Sequence, residues 1–342
     1  MSFTISVPDA LRQSVEAASG GRQTVLYDDL NYPSIMSVIP AFNVETIDTD
    51  LGTGLHPAFI VNGVAKSELF IATFKAYVHG GRALSLPGYD PTTGYNFDQS
   101  KAYCTAKGGN WHMMTNWESA ALALYCIKNG QPRGNTDYGR HHVATYETGR
   151  RQDGIAPGTA SGTARTLNGS GPASWRHDGT FAGVDGLCGN ISEWVDGMKL
   201  SSGKFYFPDD NYYAQLEASW KDQGVIIADD TGKKLGAAGT DSVAATGSTS
   251  FGAWKGLTRT AAYTALDAAI KNRFQQAMID PAFDNSSPVG SLYFNTDGER
   301  LPVRFGDWHW FGGAAAGVAC LNLYYGRAGT GTYIGFRPAY IS

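Results

Sequence analysis

The sequence predicts an α+β fold of short strands, a few helices and long ordered loops. Three observations lead there. Glycine supplies 43 of the 342 residues, well above the usual ~7%, which favours tight turns over long regular elements. Charged residues are 17% of the chain and hydrophobic residues 42%; disorder needs high charge and low hydrophobicity, so a disordered chain is excluded. Brief apolar runs alternate with helix-like segments, and no period of ~20–50 residues recurs, so a solenoid or propeller is not expected.

The elements follow in order. Ser6-Val-Pro-Asp9 opens a helix: Ser6 can cap it, Pro8 suits its first turn, and Gly20-Gly21 stop it. Ala10, Leu11, Val15 and Ala18 fall at helical spacing. Strand-like runs occupy 24–27, 35–39, 58–61 and 69–74. Asn96 caps a helix carrying Phe97, Ala102, Tyr103 and Cys104, which Gly108-Gly109 end. Thr115 and Glu118 form a capping box for the next helix, which stops at Asn129-Gly130. From 130 to 190 the chain mixes Gly, Ser, Thr, Arg and His irregularly and reads as loops. Residues 199–285 contain a strand-like piece at 225–228. They also contain a helix near 259–278, with Ala262, Leu266, Ala269, Ile270 and Phe274 on one face. Strand-like residues 292–294, a glycine-rich stretch and residues 333–341 close the chain.

Several function classes are excluded. A net charge of −4 leaves no basic footprint, so nucleic acid is not an expected partner. No stretch approaches ~20 apolar residues, so no membrane insertion is expected. The N-terminus has no basic segment leading into an apolar core, so no secretory signal is read there. Cys104, Cys126, Cys188 and Cys320 lie far apart and suit buried thiols better than a disulfide framework or a zinc site. Adjacent His141-His142 splay apart in a loop rather than converging on a metal. No nucleophile elbow is present. No cofactor, no metal and no catalytic residue is expected.

Four segments resemble the formylglycine-generating-enzyme subtype of the C-type lectin fold. Residues 96–103 resemble its helix ending in Ala-Tyr-Cys. Gly109-Asn-Trp-His-Met-Met-Thr-Asn-Trp-Glu-Ser-Ala-Ala121 resembles its strand and the helix start that follows. Gly186-Leu-Cys-Gly-Asn-Ile-Ser-Glu-Trp-Val195 resembles its Asn-Gly-Leu-Gly-Asn-Val-Trp-Glu-Trp signature. Gly335-Phe-Arg337 resembles its closing strand. The motifs occur in family order, and the resemblance implies a C-type lectin fold for residues 56–342, with an inserted region at about 199–285. Trp194, Glu193 and Arg337 are expected as scaffold. Residues 1–55 precede the signatures and are expected as a small attachment segment.

Enzymes of that family carry a close pair of cysteines before the final strand. The matching stretch here, 308–322, contains only Cys320, and one thiol cannot supply a dithiolate site. Calcium-dependent sugar binding needs clustered side-chain oxygens, and the sugar-binding tripeptides Glu-Pro-Asn and Gln-Pro-Asp are absent.

The C-terminus resembles the variable region of proteins diversified by retroelements, such as phage tropism determinants and treponemal surface variable proteins. Their template alternates framework residues with Asn, whose adenines are mutated so that the codon becomes NNY. Laid on that template, Phe311, Gly312, Ala315, Tyr324, Tyr325, Gly329, Gly331 and Tyr333 fall where Asn stood, and Asp307, His309 and Ala319 join them as further candidates. NNY codons cannot encode Lys, Glu, Gln, Met or Trp. Residues 1–304 hold 35 Lys, Glu, Gln and Met residues, and residues 305–342 hold none. Trp308 and Trp310 are therefore expected as scaffold, with Leu323, Ile334 and Phe336 packed inward between the variable positions.

The resemblance implies a ligand-binding or receptor-binding protein whose variable region, about 305–338, contacts a macromolecule, a protein on a cell surface. It implies a virion tail or fibre, or a cell surface, as the location. Exposed Tyr among Gly and Ala suits such a surface, because Tyr supplies contact area at low entropy cost.

Overall fold

Asp9 starts the first helix. Its side chain accepts from the Arg12 backbone N–H, and Ala10–Ser19 ends at Gly20 in the left-handed region, φ 63°. The protein is described by a computed structural model covering residues 9–228, 234–245, 248–251, 257–280 and 290–342, with backbone alone for 248–251. The capping expected of Ser6 and Pro8 lies outside the described residues.

Gln23–Tyr27 and Pro33–Pro40 form an antiparallel hairpin, and Pro33–Pro40 pairs on its other edge with Glu68–Ala72. The C-terminal strand Pro338–Tyr340 then lies between Glu68–Ala72 and Trp111–Met113. One five-stranded sheet thus joins the start of the chain to its end. This corrects the expected boundary at residue 55. Val25, Met36, Ile39, Val44 and Leu51 are buried, and Val44 and Leu51 share a core cluster with Trp117 and Ile341. The strand 33–40 needs partners on both edges for its backbone groups, and a detached segment could not supply them.

Two helices carry reciprocal caps. Asn96 and Gln99 cap Phe97–Thr105, and Thr115 and Glu118 cap Asn116–Asn129. The second is apolar on most sides and sits in the core. Residues 130–191 contain no strand and only one short 3-10 turn, Ala173–Trp175.

A second five-stranded sheet takes Lys234–Ala237, Lys221–Ala228, Lys204–Phe207, Lys199–Ser201 and Glu299–Arg300 in that order. The expected single helix over 259–278 is two, Ala261–Thr264 and Ala268–Gln276, separated at Asp267, which takes a non-helical ψ of 142°. The break lets Tyr263 bury its ring against Phe274 while its hydroxyl donates to Asp280 at 2.6 Å.

A third sheet runs Ser248–Phe251, Leu292–Asn295, Leu321–Leu323, Val303–Arg304, Ser192–Trp194 and Ile334–Phe336. Its pairs 292–295/321–323 and 334–336/192–194 are parallel, and the other three are antiparallel. The architecture is mixed α+β, mostly sheet with few helices, and no sheet closes into a barrel among the described residues. No helix among them is long and apolar enough to cross a membrane.

Candidate functional site

Beneath the C-terminal segment lies a buried ion cluster. Arg337 meets Glu193 through Nε at 2.9 Å and Nη2 at 2.8 Å, and also donates to the carbonyls of Ala72, Thr73 and Asp185. Lys75 Nζ bonds the same carboxylate and the Ile191 carbonyl. All three side chains are essentially inaccessible. Burial raises the Glu193 pKa, but Arg337 and Lys75 outweigh it and hold the carboxyl below its usual range. Gly186 makes the approach of Lys75 possible. It sits at φ +73°, and a Cβ there would stand 2.7 Å from Lys75 Cε. The cluster ties the closing strand to 68–72 and 192–194, giving the segment above it a rigid base.

The candidate contact positions fall within 305–333, of which 316–323 are buried. Asp307 is buried and organises a turn: its Oδ1 accepts from the backbone N–H of His309 at 2.7 Å and of Phe311 at 3.1 Å. The turn lifts His309 and Trp310 into solvent. The His309 ring lies 5.0 Å from that of Trp308 and 4.9 Å from that of Trp310, and Tyr138 contacts Trp308 at 5.2 Å. A second run of rings follows. Phe311 meets Tyr293 at 5.9 Å, Tyr293 meets Tyr324 at 5.6 Å, and Tyr324 meets Tyr325 at 5.2 Å. Tyr325 donates to the Tyr333 hydroxyl at 3.4 Å and touches buried Trp194 at 6.0 Å. The Asp307 turn joins the two runs through the backbone, from Trp310 in the first to Phe311 in the second.

Of the eleven candidate contact positions, His309 and Tyr324 are exposed, and Phe311, Ala315, Tyr325, Gly329, Gly331 and Tyr333 are partly so. Three differ from expectation. Asp307 is buried because its carboxylate satisfies the turn. Ala319 is buried against the backbone of the 290 turn, where a Cβ on Gly290 would stand 2.9 Å from the Ala319 carbonyl carbon. Gly312 is partly exposed, yet a Cβ there would stand 2.8 Å from the Thr136 carbonyl oxygen and 3.2 Å from that of Trp308, so a side chain needs backbone movement. Of the scaffold positions, Trp308, Leu323, Ile334, Phe336, Arg337, Trp194 and Glu193 are buried, but Trp310 is 68% exposed and belongs to the surface. Asn322, between Leu321 and Leu323, is also buried, and its Oδ1 accepts from the Tyr324 N–H at 2.9 Å.

Sequence reasoning missed Tyr293 and Tyr138. The signal for Tyr293 was present: Leu292 and Phe294 face the core, so the residue between them faces out. Tyr138 is in an irregular loop with no periodicity to place it.

Arg327 anchors the loop after Tyr325, bonding Asp98 at 2.7 Å, Glu217 at 2.5 Å and Glu299 at 2.9 Å. These carboxylates, on three separate segments, outweigh partial burial and raise the Arg327 pKa further. Replacing Arg327 by Ala should loosen residues 326–333 without unfolding the core. Hydrogen exchange would report it as lost protection confined to that loop, and unchanged protection there would refute the anchoring role.

Elsewhere, His112 is buried, with Nδ1 2.8 Å from the Asn110 carbonyl and Nε2 2.8 Å from Glu118, and it stacks on Tyr213 at 4.0 Å. Both nitrogens face only acceptors, so the ring is an imidazolium. Burial works against the charge, but Glu118 overcomes it and the pKa is raised. This stabilisation is complete below the unfolded-state value of ~6.5 and is lost as pH rises through the higher folded-state value. The ring of His112 should therefore titrate above an exposed histidine by NMR; titration at or below ~6.5 would refute the pairing.

All four cysteines are free and buried. Burial pushes the Cys188 and Cys320 thiols up to about 12 and raises Cys104 and Cys126 as well. No group of three or more His, Cys, Asp or Glu side chains suited to a metal occurs among the described residues.

No family model matches the chain, and no curated protein is similar to it in sequence. Among solved structures, the chain is similar to PvdO from Pseudomonas aeruginosa at 13% identity and a TM-score of 0.34, over 93% of this chain and 98% of that one. The likeness is too distant to assign the fold or the activity.

Proposed function

We propose that this protein is a non-enzymatic ligand binder on a C-type lectin-like frame, its C-terminal surface diversified by a retroelement and its partner a protein on a cell surface. The observation that carries the reading is the aromatic layer formed by His309, Trp310, Phe311, Tyr324, Tyr325 and Tyr333. Exposed apolar side chains concentrated on one segment mark interaction sites. Tyr and Trp are the side chains interfaces favour. The buried cluster of Glu193, Arg337 and Lys75 supports the same reading, because a surface that varies needs a base that does not. The high thiol pKa values weigh against thiolate chemistry at Cys188 and Cys320. An adhesive virion component or surface protein is the setting that fits a diversified binder.

The test is a display library with NNY codons at 309, 311, 324, 325 and 333, panned against lysozyme. Most members are expected to melt cooperatively near the parent temperature, because surface substitutions usually change stability by less than ~0.5 kcal/mol, and some are expected to bind. Tyr324→Ser and Phe311→Ser alone should stay within that range. A library that mostly fails to fold would overturn the reading, as would a gene with no reverse transcriptase and no template repeat beside it.

A further inference from the structure

A separate cleft of about 410 Å3 opens between the end of Pro33–Pro40, the turn after it, the last turn of Asn116–Asn129 and the loop at 177–182. None of its lining residues falls in 305–338. The volume lies within the ~300–1,000 Å3 range of small-molecule sites. Its floor is apolar, formed by Ile39, Phe42, Ile47 and Ala182.

Two polar features stand out against that floor. His177 is only 9% exposed, and its Nδ1 accepts from the Val184 backbone N–H at 2.7 Å. The ring is therefore the neutral tautomer with its proton on Nε2, and no acceptor for that proton occurs among the described residues. Burial dominates its titration and pushes the pKa down to about 4, so the ring stays neutral at pH 7. Lys128, exposed in the last turn of the helix, has no carboxylate partner among the described residues. Asp178 also lines the cleft, but Arg22 meets it at 3.1 Å, so the lining carries one uncompensated positive charge.

We propose that this cleft binds a small amphipathic carboxylate, with its hydrocarbon body on Ile39, Phe42 and Ile47 and its carboxylate between the Nε2–H of His177 and Lys128. A buried neutral donor and a cation lining the same cleft suit an anion better than an alcohol, which gains nothing from the charge of Lys128, or an ammonium, which Lys128 would repel.

Isothermal titration of the full chain with decanoate, decanol and decyltrimethylammonium, each below its micellisation concentration, tests this. Decanoate should bind tightest. Lys128→Glu, a surface change that leaves the melting temperature unaltered, should weaken decanoate about tenfold and leave decanol unchanged. Equal affinity for decanoate and decanol with no effect of Lys128→Glu would overturn the carboxylate assignment. No heat with any of the three probes would overturn the site itself. The aromatic layer is not touched by any of these outcomes.

Discussion

Replacing Glu193 by Ala should lower the stability of the chain by about 3–5 kcal/mol, a large share of the total stability of a domain. The carboxylate is the shared counter-charge of Lys75 and Arg337, both inaccessible to water. Without it, two cations remain in the core facing each other and backbone carbonyls. Lys75→Met should cost distinctly less, because it leaves Arg337 and Glu193 as a matched pair with two hydrogen bonds, at 2.9 and 2.8 Å. The comparison separates charge imbalance from loss of packing, since Met keeps most of the lysine stem. Urea unfolding of the two variants is the measurement. Equal costs, or a Glu193→Ala protein as stable as the parent, would show that the cluster is not held by charge.

What could be read from residues alone follows the range of the interactions involved. Capping is local, so Asn96 and Thr115 announced their helices: each partner lies three residues away. Sheet order is not local. Nothing near Pro33–Pro40 shows that it will pair with 68–72, or that 338–340 will enter the same sheet from the far end of the chain. The attachment segment expected at 1–55 failed for that reason. The helix over 259–278 failed because its apolar spacing was real but was served by two helices turning at Asp267 around Tyr263 and Phe274. At the aromatic layer, the codon restriction that sets Trp310 apart from the contact positions carries no information about burial, and the ring faces outward. Asp307 is expected among the contact positions, yet its short carboxylate closes the turn that exposes its neighbours. Composition hinted at a binding loop, but the ring contacts of Tyr293 and Tyr138 required the chain to be folded.

As pH falls below ~6.5, buried histidines should begin to destabilise this protein. His56 lies among the rings of Phe42, Phe59 and Trp117, its Nδ1 accepting from the Ala58 N–H at 3.1 Å and its Nε2 donating to the Gln276 carbonyl at 3.1 Å. Protonating Nδ1 breaks the first bond and places a charge in the core, and burial accordingly pushes its pKa down to about 4, as for His177. Between ~6.5 and that value the unfolded chain binds more protons than the folded one, so stability rises with pH across the window and is lost as pH falls through it. Each histidine contributes on the order of 3 kcal/mol by the acid end, a large share of the total stability of a domain. His112 acts in the opposite direction, losing its contribution as pH rises, so the most stable point should lie near pH ~6.5, where the two slopes meet. Urea midpoints from pH 4 to pH 8 would trace this. His56→Asn keeps an oxygen where Nδ1 caps the turn Pro57–Phe59 and removes the titrating group. Relative to its own value at pH 7, that variant should lose less stability on acidification than the parent. An identical acid slope in His56→Asn would mean that the buried carboxylates, not His56, set the acid limit.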